Sequence, residues 1–177
     1  MKSLIQSTQM NEYVWPYRVG PDWYEHTTAS LFDGQKSVVV LLPGAWTPIW
    51  TEKHLPRLEE MNQDILDAGA TQVICASVND SFVMNSWAEK VTGIEKTILL
   101  PDGNLDYTEA VGQAVEKRNL GFGMRAWRSV QCWDGRELVG QIEEVDKVHN
   151  SEPDPYDVTN PENFIDWVRE TFTVEWA

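Results

Sequence analysis

An α/β fold with a central mixed sheet flanked by helices is predicted by three features of the sequence. Short apolar runs alternate with helical patterns from residue 37 onward, which demands parallel strands joined by helical crossovers. Two strand-like stretches then flank Asp134-Gly135, a strong signal for an antiparallel hairpin. A last amphipathic segment closes the chain. The order βαβαβα, hairpin, α fits a thioredoxin-like domain carrying insertions.

The elements follow in turn. Ser37 to Leu42 (SVVVLL) is Val-rich and stops at Pro43-Gly44, as a buried central strand does. Thr47-Pro48 reads as a helix start, Thr47 as N-cap and Pro48 in the first turn. Leu55, Leu58, Ile65 and Leu66 form its apolar stripe, Gly69 its stop, and Pro56 a kink within it. Thr71 to Val78 is a second strand, and Asn79, Asp80 or Ser81 caps a helix running to about Lys90. Thr97 to Leu100 is a third strand, closed by Pro101-Asp102-Gly103. Asp106 is read as the cap of a helix that turns Tyr107, Ala110, Val111, Ala114 and Val115 inward. The hairpin strands span about Arg125–Trp133 and Glu137–Glu144. Asn160-Pro161 begins the last helix, with Phe164, Ile165, Trp167, Val168 and Phe172 along it. Residues 1–30 carry Tyr13, Trp15, Tyr17, Trp23 and Tyr24 and are expected to form an N-terminal extension or hairpin on a single domain spanning 1–177.

Composition narrows the function. The 177 residues hold 14 Lys+Arg against 28 Asp+Glu, a net charge of -14 that argues against nucleic acid or an anionic membrane surface as partner. No apolar stretch approaches the ~20 residues of a membrane span, and the N-terminus has no signal-like core, so a cytoplasmic protein is expected. Cys75 and Cys132 are too few for a disulfide scaffold. Neither they nor the scattered His26, His54 and His149 have metal-ligand spacing, so neither metal nor cofactor is expected.

Leu42 to Pro56, LPGAWTPIWTEKHLP, closely resembles the active-site segment of the peroxiredoxin-5 (type II) peroxiredoxins, above all the bacterial relatives fused to glutaredoxin. The resemblance extends to TTASLFDGQKSVVVLLPG, SVNDSFVMNSWAEK, LLPDGNLDYTEAVG, LGFGMRAWR and DPYDVTNPENFIDWV, in order, from about Trp23 to Val168. It implies a redoxin fold and an active site of the pattern PxxxTxxC with an arginine from a later strand. By that resemblance Pro43, Thr47 and Arg128 are the proline, threonine and arginine, and the cysteine position is Trp50.

The chemistry makes that substitution decisive. Peroxide reduction needs a thiolate that attacks the O–O bond and becomes a sulfenic acid. A helix N-terminus and an arginine favour the thiolate, while threonine and backbone donors hold the peroxide. Indole offers neither a nucleophilic lone pair nor a reversible redox cycle with thiols. The sequence therefore predicts a degenerate site and a binding or regulatory relative without peroxidase activity. The alternative is a glutathione- or thioredoxin-dependent thiol peroxidase acting through Cys75, mid-strand, or Cys132, expected to be exposed beside the hairpin turn. Trp50 is expected to fill the volume between Pro43 and Arg128.

Ser129 to Asp134 is one residue short of the family pattern, and an ungapped reading back from Asp134-Gly135 puts Trp127 at the arginine position. A missing residue would swap strand faces unless a bulge absorbs it. Without the thiol, Thr47 is expected to serve only as a cap, His54 to pack, and Arg128 to hold a small anion or an ordinary ion pair. Trp46 and Trp50 would plug the pocket mouth or meet a protein partner there. The resemblance also implies a homodimer formed through loops around the site.

Overall fold

The computed structural model describes residues 9–48, 50–91 and 93–173, with Trp50 described only in its backbone. Five strands form the central sheet in the order β5-β4-β3-β8-β9. Strands β3 (Lys36–Leu42), β4 (Gln72–Ser77) and β5 (Ile98–Pro101) run parallel. Strand β8 (Ser129–Asp134) pairs antiparallel with β3, and β9 (Glu137–Glu143) with β8. An N-terminal hairpin, β1 (Val14–Val19) and β2 (Asp22–Thr27), and a short ribbon, β6 (Ala114–Glu116) with β7 (Met124–Ala126), complete the strands.

Two cores sit on the two faces of this sheet, and strand alternation assigns each residue to one of them. Val38, Val40 and Leu42 of β3 face a cluster with Val130 and Cys132 of β8. Helices α2 (Leu55–Glu60), α3 (Asn62–Asp67), α4 (Ser81–Lys90) and α6 (Pro161–Thr173) cover it through Leu58, Ile65, Trp87 and Phe164. Val39 and Leu41 face the opposite cluster, where Trp15, Phe32 of α1 (Thr28–Phe32), Tyr107 of α5 (Asp106–Ala110) and Trp133 pack. Helix α6 comes so close to β9 that a Cβ on Gly140 would lie 3.0 Å from Trp167 and Thr171 atoms.

The helix expected after Thr47 is segmented. A π-helical turn, Trp50–His54, precedes α2, and Met61 (φ -91, ψ 6) separates α2 from α3. Pro56 has no N–H and its ring crowds the preceding turn, so the wider turn just before it relieves that conflict.

Three expectations need correction. Ala114 and Val115 are in β6, not in a helix: Gly112 (φ 73) ends α5, and pairing with β7 takes the next residues. Asp106 is the first residue of α5 rather than its cap. The capping acceptor is Asp102, buried, whose carboxylate accepts from Tyr107 N (3.0 Å), Thr108 N (2.9 Å) and Thr108 Oγ1 (2.7 Å). The stretch from Arg125 to Trp133 is two strands, interrupted at Trp127 and Arg128.

The short β8 keeps an unbroken register with β3, from Lys36↔Asp134 to Leu41↔Ser129. The irregularity falls on β9, where Cys132 pairs with Gly140 and Trp133 with Leu138, leaving Val139 as the extra residue. The bulge lies on β9, and the residues of β8 alternate without interruption against β3.

Candidate active site

The loop leaving β3 is held from three sides. Ala45 N donates to Asn79 Oδ1 (2.9 Å), which also accepts from Ser77 Oγ (2.6 Å). Arg125 Nη1 donates to Val78 O (3.3 Å) and lies where any Cβ on Gly44 would meet it at 3.0 Å, so glycine suits that position. Trp46 adopts φ 70, a left-handed conformation costing a non-glycine residue about 1 kcal/mol, and is exposed. The Thr47 hydroxyl donates back to Gly44 O (3.1 Å), and Thr47 O accepts from Thr51 N (3.1 Å). Of the donors that Thr47 was expected to cap, the one at position 49 lies outside the described residues. So does the indole of Trp50, expected between Pro43 and Arg128.

On the same side of the sheet the π-helical turn ends in His54, fully buried. Its ring packs on Tyr156 with centroids 4.6 Å apart, and the Arg128 guanidinium lies 5.6 Å from the centre of that Tyr156 ring. Arg128, itself buried, is ion-paired with Asp154 and donates through Nη1 to Pro155 O (3.3 Å). The indole of Trp127 donates instead to Glu144 O (2.9 Å) and lies beneath the Lys117 ammonium. Arg128 rather than Trp127 therefore meets the His54 side of the sheet. Pro43, Lys117, Trp127, Arg128, Asp154 and Pro155 are among the residues lining one small cleft. Pro43 and Arg128 are thus brought together; no described contact joins Thr47 to them.

The loop carrying Asp154 to Tyr156 is fixed by a carboxylate. Glu144, at the end of β9 and buried, accepts from the backbone N–H groups of Asp157, Val158 and Thr159 and from Thr159 Oγ1. Sequence reading missed Glu144, Asp154, Tyr156, Asn79 and Arg125. Nothing local distinguishes them from solvated surface groups, because each gains its role only when distant segments meet.

Electrostatics follow from burial. His54 is pulled down to about 3, first by burial, then by the charge of Arg128, against a backbone hydrogen bond at Thr159. It is neutral at physiological pH. Burial also pulls Arg128 down to about 10, with Asp154 and Glu144 opposing, so it keeps its charge.

Neither thiol lines this cleft. Cys75 is buried in β4, and Cys132, contrary to the expected exposure, is buried in β8 because β3 and β9 flank it and α6 covers its face. Burial pushes both thiols well above the ordinary range. Strand β3 runs between their strands, with Cys75 opposite Val40 and Cys132 opposite Val38. Two strand spacings come to about 10 Å. That exceeds the ~7 Å Cα limit of a disulfide. Among the described residues no cluster of His, Cys, Asp or Glu fits a metal ion, and no helix is long and apolar enough to cross a membrane.

A mixed sheet between two helical layers, with a proline loop and a buried arginine at the end of β3, defines a redoxin fold, and the redoxin family model matches residues 19–158. A peroxiredoxin of Synechocystis sp. is 38% identical over 154 residues, covering 87% of this chain and 79% of the relative. A hybrid peroxiredoxin of Haemophilus influenzae is 33% identical over 166 residues, covering 94% of this chain and 67% of the relative. Among solved structures, the Plasmodium falciparum antioxidant protein (1-Cys peroxiredoxin) superposes with a TM-score of 0.83 at 27% identity, covering 92% of this chain and 98% of that one. Reduced Prx3 of Vibrio vulnificus, in complex with hydrogen peroxide, gives 0.81 at 26% identity, covering 96% and 98%. The chain belongs to the peroxiredoxin family.

Proposed function

We propose that this chain is a peroxiredoxin relative that has lost thiol peroxidase activity and acts by binding, as a regulatory or structural partner. Its degenerate site comprises Pro43, Thr47, Arg128 and, in place of the nucleophilic cysteine, Trp50. One observation carries the reading: both cysteines are buried within the sheet and disfavoured as thiolates. Neither has a helix N-terminus or cation to favour ionisation, and the two cannot form a peroxidatic and resolving pair with one another.

The Arg128 environment supports the same reading. In a working site the guanidinium would face peroxide oxygen beside a thiolate; here Asp154 and the Pro155 carbonyl already engage it. A small anion or a protein segment reaching the loop near Trp46 and Trp50 is the ligand class that suits what is left. We propose alongside it a cytoplasmic location and a homodimer assembled through loops around this site; light scattering of the purified protein is expected to give twice the 20.3 kDa chain mass.

The test is hydrogen peroxide consumption coupled to glutathione–glutaredoxin or to thioredoxin. The expected result is a rate equal to the protein-free background. Turnover that disappears in Cys75→Ser or Cys132→Ser would overturn the assignment.

A further inference from the structure

Away from the candidate site, the hairpin and the start of α4 build an exposed aromatic patch around one cation. Trp23 and Phe82 are 56% and 58% exposed, unusual for such large apolar side chains standing side by side. Their rings meet edge to face, centroids 5.9 Å apart at 81°. Arg18 lies against both, its guanidinium 5.3 Å from the Trp23 ring and 4.9 Å from the Phe82 ring.

The patch is rigidly mounted. Arg18 and Trp23 are direct cross-strand partners. Arg18 N donates to Ser81 Oγ (2.8 Å), and Asn85 Nδ2 donates to Arg18 O (3.0 Å), which ties β1 to the first turns of α4. These bonds fix the backbone of β1 against α4, so the elements carrying the two rings and the cation keep their spacing before anything binds.

Charge indicates what the patch is for. The chain has 28 acidic residues, and three of its surface arginines pair with them: Arg57 with Glu60 and Glu162, Arg136 with Glu12 and Asp33, Arg169 with Asp166. Among the described residues Arg118 and Arg125 form no such pair, but neither lies against two exposed aromatic rings as Arg18 does. Arg18 makes no ion pair among the described residues; its only hydrogen bond to protein from the guanidinium goes to Gly20 O at 3.3 Å. A planar guanidinium resting against two exposed rings offers carboxylate recognition and apolar contact at once.

We propose that Arg18, Trp23 and Phe82 form a docking site for a short acidic segment of a partner protein, one that places a carboxylate on Arg18 and an apolar side chain against the two rings. The carboxylate supplies the charge this cation lacks, and the neighbouring apolar group covers the indole and phenyl faces.

The experiment is a titration of the full chain, followed by the Trp23 indole N–H and the Phe82 amide in NMR spectra. The probe is acetyl-Glu-Leu-Phe-Glu-amide, with acetyl-Gln-Leu-Phe-Gln-amide as its neutral match. The acidic peptide is expected to shift both signals and to bind about tenfold more tightly than the neutral one. In Arg18→Gln the two peptides should bind alike, while Phe82→Ser should weaken both; an otherwise unchanged amide spectrum shows that each variant folds. Equal binding of the two peptides to the unsubstituted chain, or shifts confined to other residues, overturns the proposal. So does a concentration-dependent shift of Trp23 without peptide, which would assign the patch to a second copy of the chain.

Discussion

On the proposed reading the residue at position 50 decides activity, because position 50 starts the π-helical turn that ends in His54, and Arg128 lies on the His54 side of the sheet. A cysteine there would stand in the first turn, where backbone N–H groups and Arg128 favour a thiolate. Trp50→Cys is therefore expected to fold and to raise peroxide turnover at least about tenfold over the unsubstituted chain, roughly 1.4 kcal/mol of barrier. Adding Arg128→Leu should abolish that gain. A folded Trp50→Cys protein with a titratable thiol and no turnover would mean that Asp154 and Pro155 hold Arg128 too firmly for peroxide to reach it. The residues of this site were unevenly legible. Pro43, Thr47 and Arg128 stand in a recognisable motif, whereas Asp154 and Tyr156 come from a loop whose path only the folded chain defines. Cys132 was misjudged for a related reason: closeness to a turn suggests exposure, but flanking strands and α6 decide it.

Among elements, the loop at 154–160 depends on one side chain in a neighbouring strand. Glu144 collects three backbone N–H groups and a hydroxyl, which a truncated side chain would leave unpaired in a buried place. Glu144→Ala should cost about 3 kcal/mol. In a domain of this size that lowers Tm by roughly 6–12 °C, read by thermal unfolding. Amide exchange should accelerate first at Asp157 to Thr159; unchanged exchange there would refute the anchoring role. The strands β3, β4 and β5 were readable because buried parallel strands need near-continuous apolar runs. Strand β6 was not, since Ala110, Val111, Ala114 and Val115 recur at helical spacing and only pairing with β7 overrides it. The bulge at Val139 is likewise a product of pairing, invisible in either strand alone.

For the molecule as a whole, stability should depend on pH through His54. Unfolded, the imidazole titrates near 6.5; folded, it resists protonation down to about 3. Between those values the unfolded state binds the extra proton, so stability is full above about pH 6.5 and falls as the solution is acidified. The slope from this one group reaches about 1.4 kcal/mol per pH unit. Urea unfolding at pH 7.5 and 5 should show the loss, and His54→Leu should have a correspondingly smaller difference between the two. Equal differences in both proteins would remove His54 from the account.

The carboxylate of Asp102 has one more duty than capping α5: it also accepts the indole N–H of Trp15 at 3.1 Å. The N-terminal ribbon cannot peel away without breaking this buried hydrogen bond and exposing Trp15, so it is joined to the body of the protein rather than hung from it. Whatever grips Arg18 on that ribbon therefore pulls on the whole scaffold.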